Sequence, residues 1–192
     1  MLHAQTASFD LERFVEDCHA GLREDRSPRV VREVLARAVA EPAAILKTFG
    51  EPKRGRVDTL HRSAELTVLH VVWAPHMTVM PHDHRMWAIL GIYSGREDNI
   101  FWRRIEDETG GRVEAAGARA LFEKEAVPLG KDIVHSVTNP IARFTGAIHV
   151  YGGDFFAAAR SEWDPETLRE QPYSVEKTFR LFEEANANYT AR

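Results

Sequence analysis

The sequence predicts one mainly β domain, of the sandwich or small-barrel class, with helices at both ends. Between about residues 57 and 151, many short runs rich in β-branched and aromatic residues are separated by turns that contain glycine, which is typical of such folds. The first fifty residues instead show apolar side chains at helical spacing. A chain of 192 residues fits a single domain with a full core. We therefore expect one domain over residues 1–192, with a helical part at 1–50, a β-barrel core at 55–165 and a C-terminal helical part at 165–192.

The N-terminal part is predicted to hold two amphipathic helices and a short further turn. A first helix over residues 8–24 starts at Ser8, a residue type that favours N-caps. Its apolar stripe consists of Leu11, Phe14, Val15, Cys18 and Leu22. A second helix reaches about Ala40, where a proline breaks it, and residues 43–49 add a short turn. Because free cysteine is most often buried, Cys18 is interpreted as a packing residue.

About eight strands are predicted after the helices, followed by two helix starts. The strands are placed at 66–73, in a motif pair across about 78–93, and at 100–106, 113–116, 121–122, 133–138 and 144–151, with a turn at 109–112. Asp164 before Pro165 indicates a helix N-cap. Ser174 is expected to open a closing helix, which packs Phe179 and Phe182 on the barrel exterior.

Composition excludes several classes of function. The net charge is −4 and the Arg103-Arg104 pair is too small for a basic patch, so we expect no nucleic-acid partner. No apolar run approaches the roughly 18 residues of a membrane span, and the first residues do not resemble a signal peptide. The single cysteine rules out an intramolecular disulfide framework and fits a reducing compartment. The expected location is cytoplasmic, and the sequence does not indicate an oligomeric state.

The chemistry is concentrated in histidines. His82 and His84 flank Asp83 in a strand-like stretch, and side chains two apart on a strand share a face, so the two imidazoles can hold one metal ion. His135 lies in a second β-rich stretch and is the candidate third ligand. His149 follows in a third stretch.

These stretches carry a resemblance to a known superfamily. His82-Asp83-His84 with Gly95 downstream, then Pro128-Leu129-Gly130, His135 and Asn139, resemble the two signature motifs of the cupins. Within that superfamily the match is to the thiol dioxygenases, the group of cysteine dioxygenase and 3-mercaptopropionate dioxygenase. The resemblance covers roughly residues 55 to 165 and implies the cupin double-stranded β-helix, a small β-barrel. Most cupins have a glutamate where Ala88 stands, and a three-histidine site without it is the thiol dioxygenase arrangement.

The resemblance also implies a site. Fe(II) would be held by His82, His84 and His135, with O₂ and a small thiol as reactants and a sulfinate as product. His149 and Tyr151 match a catalytic His-x-Tyr pair, in which the hydroxyl contacts bound substrate and oxygen. Many relatives have a serine two residues before that histidine. Here the residue is Ala147, which leaves open what orients His149.

Substrate binding is assigned to an arginine, because a guanidinium fork neutralises and orients a carboxylate. Arg160 lies nine residues after Tyr151, as in the mercaptopropionate type. Arg56 and Arg62 correspond loosely to the arginine of the mammalian cysteine dioxygenases. The alternative for Arg160 is an exposed side chain paired with Glu162 or Asp164.

Three other functions stay open at the level of residues. Three histidines also bind zinc, in a hydrolytic or lyase site. A diketone-cleaving dioxygenase of the same superfamily uses three histidines as well. A cupin that binds a small molecule without turning it over is the non-enzymatic alternative. The residues do not identify the thiol or the metal bound in vivo.

Overall fold

The computed structural model describes residues 7–25, 27–106 and 111–190. Its helices are α1 (Leu11–Glu24), α2 (Pro28–Val39), α3 (Pro42–Phe49) and α4 (Val175–Thr190). None of these helices is long and apolar enough to cross a membrane. The strands in the described ranges are β1 (Arg56–Arg62), β2 (Thr67–Trp73), β3 (Thr78–Asp83), β4 (Ala88–Ser94), β5 (Arg96–Ile105), β6 (Arg112–Phe122), β7 (Ala126–Leu129), β8 (Val134–Thr138), β9 (Thr145–Tyr151), β10 (Ser161–Trp163) and β11 (Glu170–Pro172).

The strands form two antiparallel sheets, which confirms the predicted fold class. One sheet has the order β1-β2-β9-β4-β7 and the other has the order β11-β10-β3-β8-β5-β6. Strands β2, β3, β4 and β5 alternate between the two sheets, and so do strands β7, β8, β9 and β10. This alternation is the winding of the cupin double-stranded β-helix, and it encloses an apolar interior between the sheets.

The N-terminal helices cover the outer face of the five-stranded sheet. Their apolar sides form one buried cluster with residues of that sheet, in which Cys18 is fully buried. Burial raises the pKa of the Cys18 thiol to about 12, which fits its interpretation as a packing residue. The predicted N-cap Ser8 is wrong, because Asp10 caps α1 by accepting a hydrogen bond from the backbone N–H of Arg13 at 3.0 Å. The short turn at 43–49 is a full helix, because Pro42 is tolerated in a first helical turn.

The predicted strands differ from the structure in several places. The stretches at 113–116 and 121–122 belong to one long strand, β6, which pairs with β5 as a hairpin. The prediction also lacks β1, β10 and β11, as well as β7, where Pro128 argues against a strand. Strand β7 contains this proline. It lies at the edge of its sheet, where a missing N–H is tolerated. Part of the predicted 109–112 turn lies outside the described residues.

The helix in the C-terminal part begins later in the chain than predicted. Asp164 does not cap a helix, and its side chain instead accepts backbone N–H groups of Glu166 and Thr167 in the turn between β10 and β11. Ser174 does cap α4, by accepting from the backbone N–H of Lys177 at 3.1 Å.

The placement of Phe182 on the barrel exterior is wrong. Its side chain is buried with the apolar residues of the barrel interior. Its ring stacks on the ring of Trp73 with centroids 5.3 Å apart. Helix α4 therefore closes one end of the barrel.

Candidate metal centre

Two neighbouring strands bring three histidines together. His82 on β3 and His135 on β8 are direct partners in the sheet register, and His84 follows the end of β3. Their ring centroids lie 4.6–5.1 Å apart. One nitrogen of each ring lies within 4.8 Å of the others, and this is the one cluster of potential ligands found in the described part of the chain. The structure therefore assembles the three residues that the sequence predicts as metal ligands.

Hydrogen bonds on the far side of two rings fix their tautomers. Nδ1 of His82 lies 2.9 Å from the carbonyl oxygen of Met80, and Nδ1 of His135 lies 2.6 Å from Oδ1 of Asn99. Since carbonyl oxygens only accept, both Nδ1 atoms donate, and each Nε2 keeps a free lone pair.

The spacing of these nitrogens fits a divalent ion. Nε2 of His135 lies 3.3 Å from Nε2 of His84. Two nitrogens that each lie about 2.1 Å from one ion, at angles of about 90–110°, are about 3.0–3.4 Å apart. The donor set therefore fits a metal, with Nε2 of His82 as the third ligand atom.

Burial keeps the three imidazoles neutral. It lowers the pKa of His82 to about 4. The pKa values of His84 and His135 lie well below the ordinary histidine value, because of burial first and the neighbouring imidazoles second. Neutral imidazole is the form that binds a metal, so no proton has to leave these rings at neutral pH.

Asp83 lies between two of the histidines in sequence and points the opposite way. It is fully buried, accepts from the backbone N–H of Ser161 at 2.9 Å, and pairs with Arg104 at 2.6 Å and Arg85 at 2.7 Å. These bonds connect β3 to β5 and to the start of β10. They hold the alternation that turns both histidines toward the barrel interior.

His149 and Tyr151 share the interior face of β9, as their spacing predicts. Nδ1 of His149 lies 3.2 Å from the hydroxyl oxygen of Tyr151, and the ring of Tyr151 contacts that of His84 with centroids 5.0 Å apart. Burial raises the pKa of Tyr151 above its ordinary value. The hydroxyl therefore stays protonated beside the histidine cluster.

A buried carboxylate that the sequence reasoning missed orients His149. Oε2 of Glu97 lies 3.2 Å from Nε2 of His149 and 2.8 Å from Nε1 of Trp73, and Oε1 lies 3.0 Å from Nδ2 of Asn99. Burial alone would raise the pKa of Glu97. The electrostatic effect of the neighbouring His149 and the hydrogen bonds from His149, Asn99 and Trp73 outweigh burial and hold that pKa below its ordinary value. Glu97 is thus an ionised acceptor in the place that Ala147 leaves open.

A sequence signal for Glu97 exists. Glu97 and Asn99 are buried on β5 while Arg96 and Asp98 between them are partly exposed and Ile100 is 39% exposed. In an ordinary strand the apolar side chains point inward and the polar ones outward, so this stretch shows the reverse pattern. The predicted strand begins only at Ile100 and therefore does not include this reversed stretch.

Arg160 is buried rather than exposed. Its guanidinium carbon lies 3.8 Å from the ring centroid of Phe155 and 3.7 Å from that of Tyr173. Nη1 and Nη2 are buried and have no hydrogen-bond partner among the described residues. The alternative pairing with Glu162 or Asp164 is not seen. Glu162 accepts from Lys177 at 2.7 Å, and Asp164 accepts from the backbone N–H of Thr167 at 2.8 Å.

The other two candidate arginines lie away from this cluster. Arg56 and Arg62 are on β1, and both side chains are about half exposed. Arg56 pairs with Asp58 at 2.8 Å and Arg62 with Asp154 at 2.9 Å. Both guanidinium groups are therefore already neutralised at the surface.

A cavity of about 50 Å³ adjoins the histidines. Its wall includes His82, His149 and Tyr151 as well as the two rings that enclose Arg160, although Arg160 itself is not part of the wall. Since one water needs about 10–15 Å³ by this measure, the cavity suits a ligand of only a few non-hydrogen atoms.

No protein-family model matches the chain. Similar solved structures include an RmlC-like cupin family protein from Methanocaldococcus jannaschii, at 15% identity over 54% of this chain and 84% of the other, with a TM-score of 0.43. An uncharacterised protein with a double-stranded β-helix domain from Klebsiella pneumoniae matches at 12% identity over 62% and 88%, with a TM-score of 0.45. Oxalate decarboxylase from Bacillus subtilis, described with Mn(II) centres, matches at 16% identity over 53% of this chain and 26% of its own, with a TM-score of 0.39. At these scores the likenesses carry no conclusion about activity.

Proposed function

We propose that the protein is a mononuclear non-haem iron thiol dioxygenase that acts on a small thiol carboxylate. The observation that carries the proposal is a cluster of three buried neutral imidazoles beside a buried guanidinium whose Nη atoms have no hydrogen-bond partner in the described chain. The cluster includes no carboxylate.

The charges around the cavity favour an anionic substrate. Three neutral ligands leave the full +2 of a divalent ion, whereas a carboxylate ligand would reduce it to +1. Arg160 adds a further positive charge. Two aromatic rings flank its guanidinium, but its buried Nη groups have no hydrogen-bond partner among the described residues. A molecule with both a thiolate and a carboxylate offers one anion to each.

Fe(II), when bound, supplies the activation of O₂ and the acidity of a coordinated thiol, whose sulfur gains two oxygen atoms to become a sulfinate. The chain's own residues bind and orient the substrate. Arg160 offers two parallel N–H groups to a carboxylate. The buried rings of Phe155 and Phe182 give the cavity an apolar wall.

The proposal is tested by oxygen consumption of anaerobically iron-loaded protein. We expect uptake of O₂ with 3-mercaptopropionate or cysteine and an equal amount of sulfinate by mass spectrometry, and no uptake by zinc-loaded protein. Uptake with a diketone alone would indicate the diketone-cleaving alternative. Iron binding without uptake on any thiol would contradict the proposal and favour a non-enzymatic ligand-binding protein.

Tyr151→Phe should lower turnover without loss of the fold. The substitution keeps the buried ring and removes only the hydroxyl, so the melting temperature should change by a few degrees at most. The rate of sulfinate formation should fall, or oxygen uptake should exceed sulfinate formation. Both quantities are measured in one oxygen-electrode experiment with product analysis. An unchanged rate and ratio would make Tyr151 a packing residue of the barrel.

A further inference from the structure

Glu97 is the common end point of two hydrogen-bond chains. One chain runs from the metal-ligand candidate His135 through Asn99 to Oε1 of Glu97, with distances of 2.6 and 3.0 Å. The other runs from Tyr151 through His149 to Oε2, with distances of 3.2 and 3.2 Å. The carboxylate is fully buried.

The first chain has a fixed direction. If Nε2 of His135 faces a metal, Nδ1 carries the proton and donates to Oδ1 of Asn99. The amide of Asn99 then turns its NH₂ group to Glu97, which accepts at Oε1. If Oε1 of Glu97 were protonated, its O–H would face the NH₂ group of Asn99, and two donors would be opposed.

The second chain has a fixed direction as well. The indole N–H of Trp73 can only donate, so Oε2 of Glu97 is an acceptor. Its other close neighbour, Nε2 of His149, must therefore donate too. In a neutral imidazole this leaves a lone pair on Nδ1, and the hydroxyl of Tyr151 donates to it.

We propose that Glu97 is a positioning residue that holds His149 in the Nε2–H tautomer and thereby commits the hydroxyl proton of Tyr151 to His149. This inference rests on the proposed function and deepens it. The oxygen of Tyr151 then presents its remaining lone pair to the cavity as an acceptor. A thiol S–H is a donor of the right kind for it, so the network favours a protonated thiol as the entering form of the substrate.

The tautomer is measured by ¹⁵N NMR of protein with ¹⁵N-labelled histidine, in the metal-free and zinc(II)-loaded states. The signals of His149 are assigned by comparison with His149→Phe. We expect a directly bonded proton on Nε2 and none on Nδ1. A ring protonated on Nδ1, alone or together with Nε2, would overturn the proposal.

Glu97→Gln tests whether the carboxylate sets the tautomer. The NH₂ group of a glutamine at position 97 must face at least one donor, either the NH₂ group of Asn99 or the N–H groups of Trp73 and His149. At least one hydrogen bond is therefore lost. We expect the Nδ1–H tautomer of His149 to appear. The matched control is Glu162→Gln, another buried glutamate, whose partners are Lys177, Gln171 and the backbone of Ser174. The control should keep the wild-type tautomer.

Turnover gives a second readout. Loss of a residue that orients a catalytic partner costs about 10–100-fold. Because Glu97 does not reach the substrate, the loss should fall on kcat while KM changes less than about threefold. An unchanged kcat together with an unchanged tautomer in Glu97→Gln would make the carboxylate a packing residue and overturn the proposal.

The two proposals fail separately. The tautomer in wild-type protein is read without substrate, iron or O₂, and it does not depend on whether Glu97→Gln folds. If no thiol is oxidised but Nε2 carries the proton, the proposed function fails and the role of Glu97 in orienting His149 stands. If a thiol is oxidised but Nδ1 carries the proton, the function stands and the role of Glu97 fails.

Discussion

His135→Ala protein is expected to lose most of its iron and all measurable thiol oxidation. Loss of an outer partner of a metal ligand already costs about 10–100-fold in affinity, so loss of one of three ligands should cost more. His135 offers Nε2 at 3.3 Å from that of His84 and is held by Asn99. The measurement is iron per chain after anaerobic loading and gel filtration, with O₂ uptake on the same samples.

His149→Ala is the control for that experiment. His149 is buried beside the cluster but is not one of its three members. It should keep iron at the wild-type ratio and lose turnover, which separates loss of the metal from loss of the Glu97–His149–Tyr151 network. Full iron occupancy in His135→Ala protein would show that the ion is held elsewhere.

Strand geometry predicts that two of the three clustered histidines lie side by side. A period of two puts His82 and His84 on one face whatever the packing. The pairing with His135 needed the resemblance, since 51 residues separate it from His84. The fold class followed from short strands and turns, and its topology followed from the same resemblance.

The parts that the sequence did not predict depend on packing between distant segments. The position of Phe182 in its helix does not distinguish it from a residue that packs on the outside of the barrel. Its ring enters the interior beside Trp73 because this end of the barrel is open. Asp164 has the local signature of a helix cap, yet pairing of the two short strands around it leaves room for only a turn. Local propensity loses to tertiary contacts in both cases.

Glu97 shows the same limit at the candidate site. A glutamate in a polar stretch is usually solvated. Its burial depends on three donors from three places in the chain, Trp73, Asn99 and His149. The alternation within β5 places Asn99 on the same face as Glu97, but nothing in β5 indicates Trp73 or His149 as partners.

Arg160→Ala is expected to lower kcat/KM for 3-mercaptopropionate by about 30- to 1000-fold. Loss of a desolvated, charge-assisted pair costs about 2–4 kcal/mol, which corresponds to that range. Cysteamine, which presents an ammonium to the guanidinium instead of a carboxylate, should be affected far less. The comparison requires kcat/KM for both thiols in both proteins, and iron content should not change.

Two further variants separate charge from geometry and from packing. Arg160→Lys keeps the charge but loses the planar fork and its stacking between Phe155 and Tyr173, so it should recover only part of the activity on the thiol acid. Arg62→Ala removes a surface arginine already paired with Asp154 and should behave as wild type. A loss below threefold in Arg160→Ala would mean that its buried guanidinium does not bind the carboxylate. A loss equal for both thiols would mean that Arg160 supports the cavity wall through its two rings, because only a direct bond to the carboxylate makes the effect depend on the substrate's charge.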